Sequence, residues 1–64
     1  MKIPSNEKIM VSYVFEGVKC YSVTYNAFRD KFTLYKIING DYQKMKVAES
    51  PIEFDEIVEE DRSK

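Results

Sequence analysis

The sequence contains no histidine and no tryptophan, and Cys20 is its single cysteine. Without a second cysteine the chain cannot form an internal disulfide framework, and without histidine it lacks the usual ligand sets of zinc sites. A serine or threonine nucleophile would have no histidine to accept its proton. We therefore expect no metal, no other cofactor and no enzymatic activity.

Long apolar runs are also missing, and none approaches the roughly 20 residues that a membrane-spanning helix needs. The first eight residues are too polar for the apolar region of a signal peptide, and one unpaired thiol suits a reducing compartment. These features predict a soluble, cytoplasmic protein with no membrane partner. With 64 residues, the chain is near the lower size limit for an unassisted core, and dimerisation is a common form of support.

Charge is distributed unevenly along the chain, although the net charge is only −1. Residues 1–48 carry eight Lys/Arg and four Asp/Glu, whereas residues 49–64 carry two and seven. An acidic tail beside a more basic body can attract that body within one molecule or across two. The alternative is that the tail is simply hydrated.

The two glycines mark turns between strand-like segments. Asn39-Gly40 supplies the two positive-φ residues of a type I′ turn, and apolar-rich runs lie on both sides of it. This turn predicts a hairpin in which Ile38 lies opposite Asp41 and, further along, Leu34 lies opposite Met45.

Gly17 divides the preceding β-rich stretch into two more strands. A tight two-residue loop would pair Phe15 with Val18, whereas a three-residue loop with a bulge at Gly17 would pair Val14 with Val18. The bulged register separates polar from apolar side chains better, so we expect a bulge at this turn.

The C-terminal segment has the pattern of a short acidic helix. Ser50 can cap the helix, Pro51 suits its first position, and Glu53 can complete a capping box. Its apolar residues recur at helical spacing and form one stripe for packing on the sheet. These residues are Phe54, Ile57 and Val58.

The elements together predict one small domain over residues 1–64, mainly β with a short C-terminal α-helix (α+β). A polar lead-in (1–8) precedes a four-stranded antiparallel meander of two hairpins (9–47), twisted or partly barrel-like. The acidic helix occupies 51–60, and a tail (61–64) frays. The expected core is Ile9, Val11, Tyr13, Tyr21, Val23, Phe32, Leu34, Met45, Val47, Phe54, Ile57 and Val58.

Two surfaces remain outside this expected core and are the candidate interaction residues. One is a tyrosine- and lysine-rich sheet face, comprising Tyr35, Ile37, Tyr42, Lys44 and Lys46; the other is the solvent side of the helix, comprising Glu56, Glu59 and Glu60. The leading hypothesis is a small non-enzymatic intracellular module, of accessory or inhibitor type, that binds an unknown protein partner. A homodimer that buries the sheet face against a second copy is one form of such association, and pairing of exposed strand edges is an alternative route to a dimer.

The alternative hypothesis is single-stranded nucleic-acid binding by the tyrosine- and lysine-rich face. Tyrosine rings can stack on bases while lysines neutralise phosphates. The slightly negative net charge argues against a dedicated nucleic-acid binder, which makes nucleic acid the less favoured partner. Both residue types are also ordinary on the solvent face of a sheet.

Overall fold

A computed structural model describes residues 3–64 as an antiparallel sheet followed by a helix. The strands lie in the order β1-β2-β3-β4, every connection is a hairpin, and β1 and β4 are the two edges of an open sheet. The predicted antiparallel meander with a C-terminal helix is confirmed. The elements are β1 (Glu7–Phe15), β2 (Val18–Asn26), β3 (Lys31–Ile38), β4 (Asp41–Ala48), a 3-10 turn (Pro51–Glu53) and α1 (Phe54–Arg62).

The β1–β2 turn differs from the expected bulged loop. Glu16 and Gly17 have φ values of 53° and 78°, and Phe15 lies opposite Val18. These are features of a tight two-residue turn whose twist matches that of the flanking strands. The prediction that Val14 pairs with Val18 is therefore wrong.

A bulge does occur in this hairpin, but further from the turn. Tyr13 lies opposite Tyr21 and Val14 lies opposite Lys19, so Cys20 has no direct partner on β1. The extra residue on β2 separates polar from apolar side chains, as the expected loop bulge would have done. The sequence pattern indicated a bulge but did not locate it.

The β2–β3 connection is a four-residue loop closed by Asn26. The Asn26 side-chain oxygen accepts the backbone N–H groups of Phe28 at 3.0 Å and Arg29 at 3.2 Å. The backbone N–H of Asp30 donates to the Asn26 carbonyl at 2.8 Å. Asparagine thus satisfies backbone donors that the turn would otherwise leave unpaired.

The β3–β4 hairpin begins in the predicted register, with Ile38 opposite Asp41. A bulge after Leu34 then shifts β4 by one residue, so that Leu34 lies opposite Lys46 instead of Met45. Met45 packs against the core, whereas Val47 moves to the other face and is about half exposed. The turn determines the register only until the bulge adds a residue.

The hydrophobic core lies between the sheet and α1. Its buried members are Tyr21, Val23, Leu34, Phe54 and Val58. Ile9 and Val11 were expected here but are 48% and 50% exposed, so that prediction is wrong, as it is for Val47. Ile9 lies opposite Thr24, on the sheet face away from the helix, because the extra residue Met10 shifts the register of β1 between Ile9 and Val11. The nine-residue helix contacts Tyr13 and Phe15 of β1, and Val11 remains half exposed.

Carboxylates also hold α1 on the sheet. The Tyr13 hydroxyl donates to Asp55 at 2.5 Å, and the Tyr21 hydroxyl donates to Asp61. Burial, together with these hydrogen bonds, raises the pKa of both tyrosines to about 12. Lys36 Nζ lies 2.7 Å from the Asp61 carboxylate. The hydrogen bond from Lys36, and to a lesser extent that from Tyr21, lowers the pKa of Asp61.

The two ends of the helical segment also show specific contacts. Ser50 Oγ accepts the backbone N–H of Ile52 at 3.4 Å, as the predicted cap requires. The helix extends to Arg62, two residues beyond its predicted end. The Arg62 guanidinium lies 3.6 Å from the centre of the Phe15 ring, which anchors the last turn.

Candidate functional site

The sheet face opposite α1, called here the open face, is not covered by another element of residues 3–64. Its central side chains are nevertheless buried: Ser22, Thr24, Asn26, Thr33 and Tyr35. Buried polar atoms are costly unless they are hydrogen-bonded. Within the described residues every buried side-chain nitrogen and oxygen has a partner, so this polar burial is compensated.

Glu7 connects three strands across the open face. Its Oε1 atom accepts the hydroxyl of Thr24 on β2 at 2.7 Å and that of Tyr35 on β3 at 2.8 Å. Burial and the hydrogen bond to Glu7 raise the pKa of Tyr35 to about 12. Ser12 Oγ and Ser22 Oγ, 3.0 Å apart, add a second link between β1 and β2.

A cavity of about 250 Å³ lies beside this network. Glu7 from one edge strand and Lys44 from the other both line it, with Thr33 between them. Arg29 and Lys31 complete a cationic cleft, defined by Arg29, Lys31 and Lys44, whose three positive charges exceed the single negative charge of Glu7.

The cations of the cleft differ in their partners. Lys31 Nζ lies 3.0 Å from the carboxylate of Glu49, which is largely exposed. Neither Arg29 nor Lys44 has an ion pair within residues 3–64. These two charges can approach an anionic ligand without first breaking an internal ion pair in this part of the chain.

The predicted tyrosine- and lysine-rich face is only partly assembled. Tyr35 is 0% exposed, and its ring meets that of Tyr42 edge-on with centroids 6.0 Å apart. Ile37 and Tyr42 are partly exposed, and Lys44 is exposed. Lys46 lies on the helix side because of the β4 bulge, with its Nζ 3.7 Å from the Glu53 carboxylate.

The acidic residues of the helical segment fall into two groups. Glu53, Asp55 and Asp61 contact side chains of the sheet. The predicted site residues form the outer helix face, defined by Glu56, Glu59 and Glu60, which together line one shallow surface groove. All three are exposed, and none has a side-chain hydrogen bond or an ion pair within residues 3–64.

Sequence reasoning missed Glu7 as the shared hydrogen-bond acceptor of the open face. Glu7 was placed in the polar lead-in, but β1 begins there and Glu7 pairs with Asn26. The available signal was the period-two spacing of Glu7 and Ile9, which extends the strand pattern by one step. The hydroxyl groups that donate to this carboxylate come from other strands, so the local sequence around Glu7 could not predict them.

Other kinds of site receive no support from the described part of the chain. Within residues 3–64, no group of three or more acidic, cysteine or histidine side chains is placed to hold a metal ion. No helix in that range is long and apolar enough to cross a membrane. No protein-family model, curated protein or solved structure matches this chain. Its function is therefore inferred from its own surfaces.

Proposed function

We propose that this protein is a small, non-enzymatic intracellular module that binds another protein through the outer helix face. The proposal rests on one observation: the acidic residues of the helical segment fall into a group that contacts the sheet and a group that faces solvent. Three of them hold the helix on the sheet, while Glu56, Glu59 and Glu60 are left exposed and without partners in the described residues.

The helix is a rigid support for these carboxylates. Phe54 is 0% exposed and Val58 only 2%, so the helix packs firmly on the sheet through its inner side. Residues 56, 59 and 60 follow i, i+3 and i+4 spacing and therefore lie on one side of the helix. A surface already ordered before binding loses less conformational entropy on association.

The negative charge of the outer helix face favours a partner with a basic surface. Three carboxylates on one helix side match a surface rich in lysine or arginine, and charge complementarity speeds encounter and sets orientation. Exposed charges are screened by salt, so affinity should decline as ionic strength rises. A role as accessory or inhibitor protein fits a charged binding face on so small a domain.

The test compares proteins retained from a nuclease-treated cytosolic extract by the immobilised wild-type chain and by two variants. Glu56→Lys/Glu59→Lys reverses two charges of the outer helix face. Glu16→Lys/Glu49→Lys makes the same change in net charge at exposed positions elsewhere. We expect a protein retained by the wild type and by the Glu16/Glu49 variant to be lost from the Glu56/Glu59 variant. Equal retention by both variants would reject the proposal.

A second candidate function, binding of single-stranded nucleic acid, is supported by the cationic cleft. Arg29 and Lys44 are unpaired within residues 3–64, and Tyr42 is partly exposed on the same face. These residues can contact phosphates and one base. Tyr35 cannot contribute a stacking surface, because its ring is fully buried.

Fluorescence anisotropy with a labelled single-stranded oligonucleotide tests this second candidate. Arg29→Gln/Lys44→Gln should weaken binding roughly tenfold or more and reduce its salt dependence, because two phosphate contacts are lost. Lys8→Gln/Lys19→Gln makes the same charge change at exposed positions outside the cleft. Equal losses for both variants would indicate a general charge effect and would exclude the cleft as a specific site.

A further inference from the structure

Two buried side chains at the cationic cleft each have a hydrogen-bond donor that no described residue uses. Thr33 is 4% exposed and Asn26 is 7% exposed, and both line the cavity. The Thr33 hydroxyl and the Asn26 Nδ2 group have no hydrogen bond within residues 3–64. Every fully buried side-chain nitrogen and oxygen in that range has a partner, so these two atoms must be accessible at the cavity that their residues line. Donors in this position can bind a ligand.

Backbone contacts fix the direction of the Asn26 amide. Its oxygen accepts the N–H groups of Phe28 at 3.0 Å and Arg29 at 3.2 Å, a role that the amide nitrogen cannot take. The Nδ2 group therefore points away from these backbone amides. The same contacts order the loop backbone at Arg29, which supplies one of the cations of the cleft. A donor that is ordered before binding loses less conformational entropy when the ligand arrives.

The charge around these donors indicates the charge of the ligand. Arg29, Lys31 and Lys44 outweigh the single carboxylate of Glu7, so the cavity lining has a net charge of +2. The ion pair of Lys31 with the largely exposed Glu49 is of a kind that contributes little stability and can be exchanged for a ligand. A phosphomonoester carries about two negative charges at neutral pH and three acceptor oxygens, which matches this lining.

The dimensions of the cavity indicate a small ligand. Its volume of about 250 Å³ is below the roughly 300–1,000 Å³ of pockets for drug-sized molecules. One wall is the turn before β1, in which the Glu7 backbone N–H donates to the Pro4 carbonyl at 3.0 Å. The β2–β3 loop and β4 provide the others. This space suits a phosphate group with a few attached atoms.

We propose that the cationic cleft binds a small phosphomonoester. Arg29 and Lys44 neutralise the phosphate, while the Thr33 hydroxyl and the Asn26 Nδ2 group donate to its oxygens. The Glu7 carboxylate repels a second anionic group and can accept a hydrogen bond from a hydroxyl of the ligand. The inference goes beyond the proposed function, because it uses no residue of the outer helix face. It also differs from the nucleic-acid candidate, whose phosphodiesters each carry one charge instead of two.

Amide NMR spectra of the isotope-labelled full chain, titrated with glycerol phosphate at constant ionic strength, test the proposal. We expect saturable shifts concentrated at Arg29, Lys31 and Thr33, with the amides of α1 unchanged. Dimethyl phosphate, a diester with one charge, should bind roughly tenfold more weakly, because one charge and its charge-assisted hydrogen bonds are lost.

Variants distinguish a specific site from general attraction of anions. Arg29→Gln should weaken binding of glycerol phosphate roughly tenfold. Thr33→Val keeps the shape of the side chain but removes its hydroxyl, and should weaken binding roughly fivefold. Thr33→Ser keeps the hydroxyl and should bind as the wild type does. Lys8→Gln removes one exposed charge outside the cleft and should leave the affinity unchanged.

Three results would overturn the proposal. The first is an absence of saturable shifts with glycerol phosphate, and the second is an equal loss of affinity in Arg29→Gln and Lys8→Gln. The third is equal affinity for dimethyl phosphate, which would assign the cleft to a phosphodiester backbone. The variants of the outer helix face leave all these residues intact, so either proposal can fail without the other.

Discussion

The centres of the two sheet faces are both buried, but by different means. On the helix side, apolar residues such as Val23 and Leu34 are covered by Phe54 and Val58 of α1. On the open face, Thr24 and Tyr35 are equally inaccessible although no described element covers them. Their hydroxyl groups converge on the Glu7 carboxylate, and residues of both edge strands line one cavity beside it.

The difference shows how a small chain orders a sheet when it has only one short helix. An apolar face without a cover would remain in water and promote association, whereas hydroxyl groups tolerate partial hydration. Once these groups are buried, each depends on a partner, since an unsatisfied polar atom costs more than a typical hydrogen bond contributes. The stability of the helix-covered sheet face should therefore depend on the volume of its apolar side chains. The stability of the open face should depend on one hydrogen-bond acceptor.

The helix-covered face should be most sensitive to loss of volume at Phe54. Phe54→Ala should lower the free energy of unfolding by about 3–5 kcal/mol, because it leaves a cavity and removes apolar contacts. In a domain of this size that loss is comparable to the whole stability. Urea unfolding followed by circular dichroism measures it. Ile52→Ala is the control, because Ile52 is 81% exposed and its loss should have little effect.

The open face should be most sensitive to loss of its acceptor. Glu7→Ala leaves the buried hydroxyl groups of Thr24 and Tyr35 without a carboxylate and should cost about 1–3 kcal/mol. Glu7→Gln keeps an acceptor oxygen and should cost less in the same urea experiment. If Glu7→Ala were as stable as the wild type, the hydroxyl groups would have found other partners and the open face would not depend on Glu7.

Alkaline pH should destabilise both faces together. The pKa values of Tyr13, Tyr21 and Tyr35 are raised from 10.0 to about 12 in the folded state. Between pH 10 and about 12 the folded chain therefore holds more protons than the unfolded chain, and its free energy of unfolding falls as pH rises. Below pH 10 this contribution is complete.

Urea midpoints from pH 9 to pH 11 should therefore decline through the upper part of that range. Tyrosinate absorbance recorded in parallel should show ionisation delayed in the folded protein. Constant midpoints together with ionisation at the ordinary tyrosine pKa would contradict the hydrogen bonds from these hydroxyl groups to carboxylates.

The smallest expected effect distinguishes two neighbouring tyrosines on the open face. Tyr35→Phe removes a hydroxyl that donates to Glu7 at 2.8 Å and should cost about 1 kcal/mol. Tyr42→Phe should change the free energy of unfolding by no more than about 0.5 kcal/mol, as for a surface substitution. No hydrogen bond of the Tyr42 hydroxyl is found within residues 3–64. Equal costs would show that the buried bond contributes nothing specific.

Elements that depend on neighbouring residues could be predicted well from the sequence. The Asn39-Gly40 turn forms with φ values of 51° and 83°, and the Ser50 cap forms as well. The apolar spacing of Phe54 and Val58 correctly indicated the inner side of the helix. Each of these features needs only a few adjacent residues, so a local pattern is sufficient to predict it.

The candidate surfaces were less predictable, because they depend on register over many residues. The bulge after Leu34 moved Lys46 away from Tyr35 and Tyr42, which no turn or spacing rule indicated. The exposure of the outer helix face followed directly from helical periodicity. The cationic cleft, by contrast, depends on the tertiary arrangement that places Arg29 of the β2–β3 loop and Lys44 of β4 at one cavity.

The Asn39-Gly40 turn, the helix and the apolar side of that helix follow from backbone preferences and short-range periodicity, so a local reading of the sequence was sufficient to predict them. The tight turn at Glu16-Gly17 was not predicted correctly. The tertiary fold was needed to make Glu7 the shared acceptor of the open face and β1 the more apolar edge. Bulges shift residues between faces one position at a time. Their locations are selected by packing between strands that are distant along the chain, and a local pattern cannot express that choice.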